Sequence, residues 1–169
     1  MGYIHIYTGN GKGKSTAAFG LALRAVMSGK KVYVGQFVKD MKYNETKIAD
    51  ILDNITIEQL GGGCFIEKNP KDKDIQLAKK GLDRCYEVFI SEKYDVVILD
   101  ELTIALYYKL FSKEEVIEKF FNTKANAELI ITGRYCPDEL IEKADLVTEM
   151  KEIKHYYSKG VLSRDGIDK

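Results

Sequence analysis

Residues 7–16 read YTGNGKGKST and follow directly on the run GYIHI at 2–6. A phosphate-binding loop has the pattern G-x-x-x-x-G-K-[ST]. Gly13, Lys14 and Ser15 satisfy its second half, but Thr8 stands where the first glycine belongs. The chemistry of the loop survives that departure. Gly9, Gly11 and Gly13 alternate with Asn10 and Lys12, so the backbone can turn successive N–H groups inward as a nest for an anion. A helix starting near Ser15, with Thr16 in its first turn, presents unpaired N–H groups and the positive end of its dipole to the same point. Lys14 adds a full charge, and the Ser15 hydroxyl is a ligand for Mg²⁺. A merely flexible glycine turn needs no Gly-Lys-Ser at its end.

Working outward from the loop, short β-branched and apolar runs alternate with longer helical patterns. Strands are expected at Tyr3–Tyr7, Lys31–Phe37, Ile55–Gln59, Asp95–Asp100, Glu128–Thr132 and Leu146–Met150. Runs such as VVIL at 96–99 and LIIT at 129–132 are apolar without alternation, as strands covered on both faces are. Helices are expected at Ser15–Ser28, with Gly29 closing it, and at about 43–53, 72–91, 103–121 and 137–143. Val116, Ile117, Phe120 and Phe121 recur at helical spacing and read as core. This order implies an α/β fold: one three-layer P-loop, RecA-like domain over 1–169 with a mostly parallel six-stranded sheet, and a C-terminal tail at 154–169. The polar stretch 39–46 and the glycine-led, charged stretch 61–74 follow strands 2 and 3. They therefore belong at the carboxyl edge, where open α/β sheets bind ligands.

The 169 residues suit one domain with one core. Lys plus Arg equals Asp plus Glu at 26 each, and there is no dense basic run, so nothing draws the chain to nucleic acid or to an anionic membrane. No apolar run approaches the ~20 residues of a membrane span, and no signal peptide is recognisable. Cys64, Cys85 and Cys136 are isolated, and His5 and His155 lie far apart. Free thiols in a reducing cytoplasm are expected, with neither a zinc site nor a disulfide framework.

The second half of a nucleotide site is DVVILDE at 95–101, a buried strand ending in acid. Asp100 is placed to hold Mg²⁺ opposite Ser15. Glu101 has two readings: it orients an attacking water, as in many ATPases, or it supports the metal site. The residues themselves reach a Mg-nucleoside triphosphate enzyme of the P-loop class and do not say which bond breaks.

The stretch TGNGKGKSTAAFGLALRA at 8–25 resembles the ATP:corrinoid adenosyltransferases. The likeness recurs in VGQFVK at 34–39, LDELTIAL at 99–106, ITGRYCPDELIEKADLVTEM at 131–150, and KH at 154–155 with GVLSRDGID at 160–168. Members share the TGNGKGK[ST] loop, so the threonine at position 8 is a family feature. The resemblance implies transfer of the 5′-deoxyadenosyl group of ATP to Co(I) of a corrinoid, with ATP held in reverse and triphosphate departing. It implies that the loop with Lys14 grips the departing triphosphate by its far end, and that Glu101 supports the metal site or binds the nucleotide rather than acting as a base; Lys14, Asp100 and Glu101 are the catalytic candidates, and Ser15 and Asp100 remain the Mg²⁺ candidates. It further implies ATP contacts from Gly9–Thr16, and makes Arg24 and Arg134 nucleotide candidates. It also implies a flavoprotein-type reductase supplying Co(I), and a homodimer. Members wedge aromatics under the corrin from a GxGFTWE-like stretch. Here the matching stretch is GGGCFIE at 61–67, so Cys64, Phe65 and Ile66 become the corrinoid-binding candidates with an altered wedge. The helical extension that covers the corrinoid in several members is not expected, since the first strand starts at once.

Three other readings compete. A RecA-like ATPase would release ADP and phosphate. A non-catalytic carrier would bind both ligands without forming a Co–C bond. A kinase would need an arginine-rich lid that the sequence lacks.

Overall fold

The computed structural model describes residues 1–38, 43–61 and 70–168. Six strands form a single sheet: β1 Ile4–Thr8, β2 Val32–Gln36, β3 Ile55–Gln59, β4 Val96–Asp100, β5 Glu128–Thr132 and β6 Leu146–Glu149. Their order is β3-β2-β4-β5-β1-β6 and every pairing is parallel. All six expected strands form, with no end moved by more than one residue.

The non-alternating runs face helices on both sides. Along β4, Val96 and Ile98 join a cluster under helix α1 (Lys14–Met27) with Ala18, Ala22, Val26, Val34 and Ile130. Val97 and Leu99 point the other way. There they meet Leu82 and Phe89 of α2 (Asp72–Ile90), together with Phe111, Val116 and Phe120. Residues such as Ile98, Leu99, Leu129 and Ile131 are fully buried, each contributing about 2 kcal/mol from the area withdrawn from water. The edge strand β6 is exposed along its whole length and very short.

Helix α1 ends as its sequence suggests. Gly29 sits at φ +87°, its N–H donates to Val26 O and the next N–H to Ala25 O, closing a Schellman turn. The expected helix at 103–121 is instead three pieces: α3 (Leu102–Tyr107), α4 (Lys113–Val116) and a π-helical turn at Ile117–Phe121. Lys109 occupies the left-handed position (φ +56°) that ends α3, donating to Leu106 O while Leu110 N donates to Ala105 O. Ser112 and Glu115 then cap α4 reciprocally, through Glu115 N to Ser112 Oγ (3.1 Å) and Ser112 N to Glu115 Oε2 (2.7 Å). The segment expected to be helical at 43–53 is a 3₁₀ helix, Asn44–Asp50. α5 (Asp138–Lys143) leads into β6. Val116 and Phe120 are fully buried, with Ile117 and Phe121 packed against the same cluster.

Among the described residues no helix is long and apolar enough to cross a membrane. The strands end together at the carboxyl edge. Gln36 is level with Asp100, Leu99 with Ile131, and Tyr7 with Thr132. That register brings the loop after β1, the acid at the end of β4 and the Gly-Arg after β5 to one side of the molecule.

Candidate active site

The loop after β1 resolves the missing glycine. Thr8 is the last residue of β1, buried, and its carbonyl accepts from Met150 N (2.8 Å) as β6 ends. Strand backbone there asks nothing special of the side chain. The chain turns one residue later. Gly9 lies at φ +98°, and a Cβ on it would stand 2.5 Å from Met150 O. Gly13, at φ +117°, forms the N-cap of α1. No side chain caps this helix and its first turn holds no acid, so its leading N–H groups remain available to an anion.

Lys14 is buried, 6% exposed, and its ammonium donates to Gly11 O at 2.7 Å. Burial holds its pKa below the usual lysine value and the nearby Arg134 charge pushes the same way, while Glu101 and Asp100 partly offset both. A cation carried at this cost, with no carboxylate among the described residues bonded to it, suits an anionic ligand.

Asp100 ends β4 and is fully buried. Its Oδ1 accepts from the Thr132 hydroxyl (2.7 Å) and its Oδ2 from the Gln36 amide (3.1 Å). The next residue, Glu101, takes a left-handed backbone (φ +60°) at the start of α3, and its N–H donates to Thr132 Oγ1 at 3.0 Å. Left-handed non-glycine residues concentrate where function requires them. After β5, Gly133 leaves room for Thr103, whose hydroxyl donates to Arg134 O at 2.7 Å and fixes the backbone of that arginine.

These parts line one cavity of about 590 Å³. It is lined by Gly11–Thr16 and Phe19, by Glu101 and Arg134, and by Tyr43–Glu45. The C-terminal tail also lines it, through residues including His155, Tyr156, Tyr157 and Val161. The tail is tied to the loop: Lys12 Nζ pairs with Asp168 Oδ1 at 2.9 Å and donates to Ile167 O at 2.8 Å. Asp168 also accepts from Arg164 N (3.0 Å) and from the Tyr156 hydroxyl, which holds its carboxyl far below the usual range. Asn44 donates to Asp165 at 2.7 Å, joining the tail to the Tyr43–Glu45 segment.

The structure thus gathers Gly11, Lys12, Gly13, Lys14, Ser15, Thr16, Glu101 and Arg134 around one space; Asp100 does not line it but is buried next to Glu101, where its charge acts on Lys14. Gly9 and Asn10 shape the loop without lining the cavity. Arg24 stands apart, exposed in the last turn of α1, where its charge acts on Tyr7. Cys64, Phe65 and Ile66 lie outside the described residues. Cys85 is buried in the core and Cys136 half-buried, both as free thiols. The sequence placed the stretch 39–46, which contains Tyr43–Glu45, at the ligand-binding edge without naming its residues, and gave no site role to Phe19 or to the tail, whose matching block was its one signal.

The family described as ATP:corrinoid adenosyltransferase BtuR/CobO/CobP matches residues 1–168. A corrinoid adenosyltransferase of Escherichia coli (strain K12) is 35% identical over 167 residues, spanning 99% of this chain and 85% of its own length. The corrinoid adenosyltransferase CobA of Salmonella typhimurium matches with the same identity and coverage. One from Sinorhizobium sp is 34% identical over 174 residues, at 99% and 80%.

Proposed function

The chain belongs to the ATP:corrinoid adenosyltransferase family, and from that premise we propose how its cavity performs the family's reaction. It is a transferase that moves the adenosyl group of ATP to a corrinoid in cobalamin synthesis or salvage. The observation that carries the residue assignments is the pairing of an uncapped helix N-terminus with a buried Lys14, beside Glu101 and Arg134 in one cavity.

Co(I) of the corrinoid supplies its electron pair to the ribose 5′-carbon. A Co–C bond forms, the C5′–O bond breaks, and the pair leaves on the intact triphosphate. No proton moves, so no general base is required. The substrate's metal is the nucleophile, and the protein contributes placement and electrostatics. The N–H groups of Lys12–Ser15, with the side chains of Lys12, Lys14 and Arg134, hold the triphosphate and meet its growing charge. Glu101 faces the nucleotide rather than activating water. Thr16 lies at the same helix end, and Arg24 acts only from a distance.

Magnesium fits the donor set. The Ser15 hydroxyl and the Asp100 carboxylate are hard oxygen ligands, and no cluster of three or more His, Cys, Asp or Glu forms a cage among the described residues. Ser15 and Asp100 are the residues that would hold the ion. Bound there, it would neutralise part of the charge on the departing group.

Cys64, Phe65 and Ile66 are assigned to the corrinoid on family resemblance, as are the flavoprotein-type reductase, the homodimer and a cytoplasmic location. The whole chain works as one catalytic domain. The test is anaerobic incubation with ATP, Mg²⁺ and chemically reduced cobalamin, followed by visible spectroscopy. A light-sensitive alkyl-cobalt spectrum supports the reading, and an unchanged reduced-corrin spectrum counts against it.

A further inference from the structure

The end of β2 carries a polar side chain that the reaction as described does not use. Gln36 is fully buried within the sheet, level with Asp100 on the neighbouring strand. Its Nε2 donates to Asp100 Oδ2 at 3.1 Å, while Oε1 has no hydrogen-bond partner among the described residues. The amide orientation follows from the carboxylate: turned over, the amide would set its oxygen against an anion. A position needed only for packing would hold an apolar side chain of that size, because a buried unpaired amide oxygen costs about 1–3 kcal/mol.

Thr132 engages one of the two Asp100 carboxylate oxygens. Its one hydroxyl proton goes to Asp100 Oδ1, and its oxygen accepts from Glu101 N. The bond from Gln36, on the opposite flanking strand, engages the other carboxylate oxygen and so opposes rotation of the group about its terminal torsion. We propose that Gln36 is a positioning residue for the metal–triphosphate complex: it clamps Asp100, together with Thr132, in the one orientation that meets the cation. This rests on the assignment of Asp100 as a magnesium ligand. The partners that orient a ligating carboxylate typically control metal affinity by about 10- to 100-fold.

The test is Mn²⁺ binding to the whole protein with tripolyphosphate, read by electron paramagnetic resonance, for Gln36→Met and Gln36→Asn. Methionine keeps the volume without the donor, and asparagine keeps the amide but falls one methylene short. Both are expected to weaken Mn²⁺ binding about tenfold. In turnover, both should raise the Mg²⁺ needed for half-maximal rate while leaving kcat at saturating Mg²⁺ near native, a split that a packing defect would not produce. Native Mn²⁺ affinity in either folded variant would overturn the proposal. Asp100→Asn separates the two levels: if it abolishes Mn²⁺ binding while the Gln36 variants bind normally, the Gln36 role alone fails. If Asp100→Asn itself binds normally, the metal assignment fails and the Gln36 role with it.

Discussion

Replacing Lys14 by methionine removes one charge and keeps the length of the side chain. Activity and stability should then move apart. Lys14 is 6% exposed, its ammonium stands 2.7 Å from Gly11 O, and it shares its surroundings with the Arg134 charge. Two unit charges about 4 Å apart interact by about 4 kcal/mol at the effective dielectric of a partly buried site. Part of that attraction acts on bound ATP as well. The share specific to the departing triphosphate is taken as about 3 kcal/mol, typical of a preorganised donor, or on the order of a hundredfold in kcat/KM. Stability should not follow. Without a ligand the buried cation has a backbone carbonyl and, among the described residues, no bonded carboxylate, and burial disfavours its charge. Tm of Lys14→Met is therefore expected to equal or exceed native. The assays are anaerobic adenosylation kinetics and thermal unfolding on the same preparation. Turnover within roughly threefold of native would refute the role given to this charge. Loss of activity accompanied by a lower Tm would refute the reasoning that separates the two.

Asp168→Asn should free the tail from Lys12 and Arg164 and speed tryptic cleavage after Arg164; an unchanged cleavage rate would show that these contacts do not hold the tail. Gly9→Ala combines φ +98° with a Cβ 2.5 Å from Met150 O, and should lower unfolding stability by about 1–3 kcal/mol, measured by urea denaturation. Glu58 accepts from Arg84 (2.9 and 3.1 Å) and from the Tyr33 hydroxyl (2.9 Å), which together hold its pKa below the ordinary 4.5. The stability it adds is complete above 4.5 and fades as pH falls through the depressed value, so native and Glu58→Gln should converge in acid; a constant gap would contradict this. Phe65→Ala and Ile66→Ala should each slow adenosylation of Co(II) corrinoid supplied with a reductase, and native rates in both would remove the wedge assignment.

The sheet was legible because burial on both faces leaves a plain mark. Val96–Leu99 has no polar face, and clusters on either side account for every one of its residues. The loop was legible because strand, glycine turn and helix must follow one another in the chain. The break after Tyr107 was not. Its left-handed residue is Lys109, where a glycine would have announced the turn. The Ser112–Glu115 cap was written in the sequence, but a continuous apolar spacing overrode it. The tail was illegible for a different reason. Lys12 and Asp168 are brought together by the whole fold, and no local pattern records a contact across that separation. The same holds for Gln36, whose partner becomes its neighbour only through the β2–β4 register.

The central claim is that the loop grips the polyphosphate as one unit and releases it whole when cobalt takes the sugar carbon. The direct measurement is the ratio of phosphorus products to alkyl-cobalt, by ³¹P NMR and visible absorbance on the same anaerobic reaction. One intact triphosphate for each Co–C bond is the predicted result. ADP and orthophosphate accumulating without organocobalt would contradict it.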